Sequence, residues 1–197
     1  IPDGPRTYPV TGTIFLLPLS YEDNYAAEVV ACGGSAEKKP FGDFDTGRLM
    51  GDYIHMSDGK VLIVNGAGMG YADKGDVTNR KHVARLPQKI PLLYDPKATL
   101  GSRFTRMAEA KYVRVCHSTA TLIPDGTVFI VGSNPNSAYY DTYEYPTEYR
   151  IEIFTPPYLL KGIPRPIIRN IANTTAFNPL INIKLIMVSL HIRNTCL

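Results

Sequence analysis

Short apolar runs separated by polar turns characterise the first 155 positions of the chain. Residues 10–34 contain two runs of β-branched and aliphatic side chains around a polar stretch, and they end in Gly33-Gly34. This pattern predicts a pair of strands followed by a turn. Residues 91–96 predict a further strand, whereas the polar stretch before them, residues 70–91, shows no alternation and predicts an exposed loop.

Two segments further along the chain are copies of one unit. MSDGKVLIVNG (56–66) and IPDGTVFIVGS (123–133) each contain a hydrophobic residue, an Asp-Gly pair, four apolar residues and a glycine. An Asp-Gly pair between apolar runs predicts a β-hairpin. The pairs begin at Asp58 and Asp125, 67 positions apart, which exceeds the roughly 50 residues of a kelch repeat. We therefore expect the second copy to carry an insertion covering part of residues 70–111. Repeats of this kind bury their faces against neighbours, which predicts a β-propeller.

The pattern changes at Thr155. The stretch TPPYLLKGIPRP is punctuated by prolines and predicts a linker over residues 156–166. Residues 167–197 contain apolar runs with little alternation. We therefore expect a repeat domain over residues 1–155, then the linker, and then a separate C-terminal region.

Composition agrees with an all-β fold and narrows the set of partners. The 16 glycines and 16 prolines among 197 residues favour a turn-rich β protein, because both residues interrupt helices. The net charge is +3, and the five basic residues after position 152 are too dispersed for a nucleic-acid or anionic-membrane surface. The longest apolar run, about residues 180–190, contains Lys184 and is too short to span a bilayer. The sequence begins at Ile1 without Met or a signal peptide, and we expect it to start within a longer protein.

Three stretches carry a specific resemblance to a known family. They are GRLMGDYIHMSDGKVLIVNGAGMGYAD (47–73), RVCHSTATLIPDGTVFIVGSNPN (114–136) and YPTEYRIEIFTPPYLL (145–160). Together they resemble the glyoxal oxidase branch of the copper radical oxidases, which are relatives of galactose oxidase. The resemblance implies a kelch-type β-propeller, partial in this chain, over residues 1–155. It also implies that residues 167–197 form a truncated or divergent start of a C-terminal β-sandwich of the early-set, immunoglobulin-like kind.

The resemblance also implies a secreted oxidoreductase. In this family one copper ion and a radical cofactor, a tyrosine joined to a cysteine, oxidise a small aldehyde or primary alcohol while O₂ is reduced to hydrogen peroxide. Copper suits this chemistry because it cycles between Cu(II) and Cu(I) in a mixed nitrogen and oxygen site. The expected partners are a small-molecule substrate and O₂, and no protein partner is indicated.

Two adjacent residues match the family's copper-binding motif, one of them imperfectly. The motif reads Arg, any residue, Tyr, His, Ser, and this chain has Arg114 to Ser118 in its place. His117 matches the copper-ligating histidine, whereas Cys116 occupies the catalytic position of the family's axial tyrosine. A thiolate favours Cu(I) and does not replace a phenol as a base, so Cys116 predicts impaired turnover. Adjacent residues of a regular strand point to opposite faces, so two neighbouring ligands would require a local irregularity or a strand end.

Other parts of the family site have no counterpart in this sequence. The radical tyrosine and its cysteine lie upstream of the position that Ile1 matches in the family. The second histidine ligand belongs to the C-terminal sandwich, and the resemblance does not assign that role to His191. A longer stretch that the family carries between Gly34 and Gly47 is nearly deleted here.

Two interpretations therefore remain open. His117 is either a copper ligand or a buried structural histidine, and a single histidine is a weak site compared with the three or four ligands of a stable one. The chain is either an oxidase of impaired activity or a non-catalytic propeller fragment or binding module. We predict that His55 and His82 lie at the surface and that the tyrosines between positions 139 and 149 are packing residues.

Overall fold

A computed structural model describes residues 7–34, 47–72, 83–162 and 191–193, the last of these by their backbone only. The described residues form short strands and one helical turn. In chain order these are β1 (Gly12–Leu16), β2 (Glu28–Gly33), β3 (Asp52–His55), β4 (Val61–Val64), β5 (Ala67–Met69), β6 (Arg85–Pro87), β7 (Leu92–Tyr94), β8 (Phe104–Arg106), β9 (Thr119–Leu122), β10 (Val128–Val131), β11 (Glu152–Phe154), α1 (Pro157–Leu160) and β12 (His191–Arg193). The all-β fold class is confirmed for these residues.

The predicted N-terminal strand pair is confirmed. β1 and β2 pair in antiparallel register, from Gly12 opposite Gly33 to Leu16 opposite Val29. The polar stretch between the two apolar runs forms the connection, and β2 pairs on its other side with β12 in parallel. Gly33 adopts a φ of 70°, so the predicted turn at the end of β2 uses the left-handed backbone that glycine tolerates.

The first copy of the repeat lies in a four-stranded antiparallel sheet with the order β3-β4-β7-β8, here called the first sheet. Its four apolar residues form β4, and all of them are buried. Val61 and Ile63 pack in a core with β1 and β2 residues, whereas Leu62 and Val64 pack against β10 on the other side. A strand covered on both faces reads as a continuous apolar run, which explains why β4 shows no alternation.

The second copy forms a three-stranded antiparallel sheet with the order β11-β10-β9, the second sheet. Its register repeats that of the first sheet at the 67-residue offset. Val61 lies opposite His55 in the first sheet, and Val128 lies opposite Leu122 in the second. The internal repeat found in the sequence is therefore also a repeat in the structure.

The extra residues between the two copies lie partly within the expected range, residues 70–111, but they belong to the first sheet and not to the second copy. They are inserted between β4 and β7 of the first sheet, over residues 65–91, and include the β5-β6 hairpin. Residues 92–106 provide β7 and β8, which complete the first sheet. The prediction that the insertion belongs to the second copy is therefore wrong. Arg85–Pro87 is a strand rather than the predicted loop, and residues 73–82 lie outside the described residues.

The first residues of the predicted linker contact the second sheet. The Tyr158 hydroxyl of α1 donates a hydrogen bond to the Gly126 carbonyl at 2.9 Å, and the Tyr158 ring packs against the core shared by the two sheets. Residues 163–190 lie outside the described residues, so the linker end and the C-terminal sandwich stay predictions. Among the described residues, no helix is long and apolar enough to cross a membrane.

Candidate functional site

Cys116 and His117 lie immediately before β9, where their side chains take opposite directions. Cys116 is 4% exposed and belongs to an apolar cluster with Ala67, Ala84 and Val115. The next residue, His117, is exposed and has a φ of 52°. A non-glycine residue with such a φ is uncommon. The local irregularity that two adjacent ligands would require is thus present, but it turns the thiol inward and leaves the imidazole at the surface.

Met50 occupies the corresponding place in the first repeat. It precedes β3 as His117 precedes β9, and its φ of 53° is nearly the same. The Ala67 N–H donates to the Leu49 carbonyl at 2.9 Å, and at the 67-residue offset the Asn134 N–H donates to the Cys116 carbonyl at 3.0 Å. β3 lies beside β9, so the two equivalent positions precede neighbouring strands of the two sheets.

The His117 ring is anchored on one nitrogen. Its Nδ1 lies 2.8 Å from the main-chain oxygen of Asn134, the residue that also bonds Cys116. Ser133 contributes a second tie, because its hydroxyl donates to the Cys116 carbonyl at 3.1 Å and accepts from the Val115 N–H at 3.2 Å. The residues directly after β10 therefore hold the segment that carries both family positions.

Arg114 fixes the start of this segment from below the surface. Its guanidinium donates to the carbonyls of Gly132 at 2.6 Å and Arg150 at 2.7 Å. It also forms an ion pair with Glu152 at 3.3 Å, in which the Arg114 side chain is fully buried. A planar guanidinium suits several fixed acceptors at once. Arg114 thus joins the end of β10 to the start of β11.

A second polar contact connects the two sheets next to His117. The Ser118 hydroxyl donates to Asp52 Oδ2 at 3.0 Å, and the Asn65 side-chain amide donates to the same oxygen at 2.8 Å. Asp52 begins β3, so its carboxylate ties the residue after His117 to the first sheet. Asn65 also has a positive φ, 59°, which is the position equivalent to Gly132 in the second repeat.

Burial raises the pKa of the Cys116 thiol, and the His117 main-chain N–H opposes this shift. Desolvation disfavours the thiolate, which is the form of cysteine that binds metals and acts as a nucleophile. Cys116 therefore has the environment of a core residue.

The described residues fit one ligand of a copper site rather than a complete one. The exposed imidazole of His117 offers a nitrogen, which suits copper. Within the ranges that the structure describes, no group of three or more His, Cys, Asp or Glu side chains is close enough to hold a metal. His55 is exposed as predicted, and the side chains of His82 and His191 lie outside the described residues.

A buried arginine that the sequence analysis did not single out supports the insertion. Arg48 is 3% exposed and donates to the carbonyls of Asn65, Gln88 and Ile90. Burial lowers the pKa of its guanidinium to about 10, because desolvation disfavours the charged form. Since residues 65 and 90 bound the insertion, Arg48 holds its two ends together.

The tyrosines between positions 139 and 149 lie in the loop between β10 and β11 rather than in strands. Tyr140 and Tyr143 stack with ring centroids 4.3 Å apart, whereas Tyr139 and Tyr149 are 75% and 64% exposed. The packing prediction holds for the stacked pair and for Tyr145, which is partly buried against the apolar cluster that contains Cys116, whereas Tyr139 and Tyr149 contact each other at the surface. A cleft of about 740 Å³ is lined by Leu17–Asp23 and the Asp58-Gly59 turn, among others, and includes none of residues 114–118.

Comparisons with known proteins identify the family to which the chain belongs. A family model described as Glyoxal oxidase N-terminus matches residues 41–158. Aldehyde oxidase GLOX1 of Arabidopsis thaliana is 36% identical, in a match that covers 81% of this chain and 30% of that protein. Aldehyde oxidase GLOX of Vitis pseudoreticulata is 38% identical, in a match that covers 84% of this chain and 35% of that protein.

A solved structure is also similar to the chain. It is described as a novel fungal alcohol oxidase of the AA5 family in complex with copper, and it matches with a TM-score of 0.44 and 25% identity over 68% of this chain and 22% of that chain. The chain belongs to the glyoxal oxidase branch of the copper radical oxidase family. It spans about a third of the length of the curated relatives it matches.

Proposed function

We propose that the first and second sheets are two neighbouring blades of a kelch-type β-propeller. Three observations support this proposal. The two sheets repeat one register at a 67-residue offset, their first strands β3 and β9 are neighbours, and Met50 and His117 share a left-handed backbone just before those strands. In a propeller, the equivalent positions of successive blades surround one axis. His117 would then lie near that axis.

The proposed activity is that of an extracellular copper radical oxidase acting on small aldehydes or primary alcohols, with O₂ reduced to hydrogen peroxide. Membership of the family and the exposed imidazole of His117 carry this proposal. His117 would hold copper as one nitrogen ligand, and the metal would supply one-electron redox chemistry. The other ligands, the Tyr-Cys radical cofactor and a C-terminal β-sandwich would come from residues outside those described.

Turnover is proposed to be impaired, because Cys116 does not replace the family's axial tyrosine. Its thiol faces the apolar cluster and its pKa is raised, so it neither reaches outward with His117 nor provides a basic group there. Cys116 is therefore proposed to influence the reaction by the absence of the phenol rather than through chemistry of its own.

A peroxide assay tests the proposal. The purified chain would be incubated with copper and methylglyoxal, and hydrogen peroxide would be measured beside bound copper. Slow peroxide formation that disappears in His117→Gln and persists in His55→Gln would support the oxidase. In a longer chain that carries the remaining ligands, Cys116→Tyr should raise the rate, and an unchanged rate would contradict the account of Cys116.

A non-catalytic propeller module is the second candidate. It is favoured by the single ligand that the described residues provide, since a stable copper site requires more. No peroxide and no stoichiometric copper in the same assay would select this candidate.

A further inference from the structure

The hydrogen bond to the His117 ring defines which of its two nitrogens remains available. Nδ1 lies 2.8 Å from the Asn134 main-chain oxygen, and a carbonyl oxygen only accepts. Nδ1 must therefore carry the hydrogen. In a neutral imidazole the other nitrogen, Nε2, then keeps its lone pair, and the lone pair is what a metal ion accepts.

The Asn134 carbonyl is itself held by a side-chain clamp. Asn134 Oδ1 accepts hydrogen bonds from the Thr147 hydroxyl at 3.1 Å and from the Asn136 N–H at 3.2 Å. The Thr147 hydroxyl accepts from the Tyr140 N–H at 3.1 Å, so its one hydrogen is directed to Asn134. The loop between β10 and β11 thereby fixes the residue that orients the ring.

The equivalent position in the first repeat lacks this clamp. Ala67 makes the same main-chain bond as Asn134, but its methyl group offers no acceptor, and Met50 stands where His117 stands. The shared backbone geometry therefore does not require Asn134 or Thr147. Among the described residues of the two repeats, this clamp is found only in the second repeat, which is the one that carries an imidazole.

We propose that Asn134 and Thr147 are positioning residues that hold His117 in the Nδ1–H tautomer and present Nε2 outward as the metal-accepting nitrogen. The inference rests on the proposed copper role of His117. Hydrogen bonds to the non-ligating nitrogen of a histidine are known to fix its tautomer and raise its affinity for a metal. Thr147 acts here through a chain of two hydrogen bonds.

Nitrogen NMR of the metal-free, ¹⁵N-labelled full chain tests the tautomer directly. Spectra would be recorded at about pH 8, where an ordinary imidazole is neutral, and the His117 signals would be assigned by their loss in His117→Gln. The native chain should show mainly Nδ1–H. Thr147→Val should lower the ratio of Nδ1–H to Nε2–H roughly fivefold, whereas Thr147→Ser, which keeps the hydroxyl, should retain the native ratio.

Asn134→Ala provides a second variant, because it removes the Oδ1 acceptor while leaving the contact between Tyr140 and Thr147, and it should shift the ratio in the same direction. A native ring in the Nε2–H form, or ratios unchanged in both variants, would overturn the positioning. Adding Cu(II) separates this result from the proposed function. A His117 ring in the Nδ1–H form that Cu(II) leaves unbroadened would support the positioning and contradict the copper role.

Discussion

The inward direction of Cys116 predicts that its thiol is strongly protected from alkylation. The side chain is 4% exposed, so a maleimide reaches it only when the segment around it opens. That opening breaks four hydrogen bonds. Two of them reach the Cys116 carbonyl, from the Asn134 N–H and the Ser133 hydroxyl. The other two run from the Val115 N–H to the Ser133 hydroxyl oxygen and from the Gly66 N–H to the Arg114 carbonyl. At about 1 kcal/mol each, their loss costs roughly 4 kcal/mol. Such a cost leaves about one molecule in a thousand open.

The assay compares labelling of the native chain with labelling of the chain unfolded in urea. N-ethylmaleimide is added at a fixed pH, and mass spectrometry of the Cys116 peptide gives the two rates. We expect native labelling to be about a thousandfold slower. Ser133→Ala removes two of the four bonds. The native form of this variant should therefore be labelled roughly thirtyfold faster than the native form of the unaltered chain. Native labelling within tenfold of the unfolded rate would refute the burial of the thiol and return Cys116 to the set of possible ligands.

Three further predictions concern the support of the His117 segment. Arg114→Met should lower the free energy of unfolding by about 3–5 kcal/mol, measured in urea, because the Gly132 and Arg150 carbonyls and the Glu152 carboxylate lose their buried partner. An effect below 1 kcal/mol would contradict this role. Gly132→Ala should cost about 1–2 kcal/mol, since φ is 78° and the added methyl would lie 3.2 Å from the His117 carbonyl; a neutral result by the same measurement would argue against the described turn. Hydrogen bonds from Arg150 hold the pKa of Glu148 below its usual 4.5, so its carboxylate adds stability that is lost as pH falls through the lowered value. Glu148→Gln should therefore cost about 0.5–1 kcal/mol at neutral pH, with the difference from the native chain closing below about pH 4.5, and a difference that grows on acidification would reverse the assigned sign.

The two hairpins could be predicted from sequence because their signals are local. An Asp-Gly pair beside four apolar residues specifies a turn and a buried strand within about ten positions, and both β4 and β10 form where this pattern predicts. The location of the insertion was less accessible. The strand predicted over residues 91–96 forms as β7, but β7 and β8 have only three residues each, so no local signal showed that they complete the first sheet.

The immediate surroundings of His117 depend on contacts between residues far apart in sequence. Arg114 reaches the carbonyl of Arg150, 36 positions away, and the Asp52 carboxylate meets Ser118 across 66 positions. Asn134 and Thr147 lie within the stretches that carry the family resemblance, but their polar side chains alone do not indicate what they bind. The sequence signal that was present is the run Gly132-Ser133-Asn134, where polar residues directly follow a strand and its terminal glycine.

Electron paramagnetic resonance of the chain loaded with Cu(II) tests the central claim most directly. If His117 presents a nitrogen to copper, the native spectrum should show nitrogen coupling that is lost in His117→Gln. The coupling should be retained in His55→Gln, a control that removes another exposed imidazole. A spectrum that is the same in the native chain and in His117→Gln would contradict the assignment of this histidine as a copper ligand.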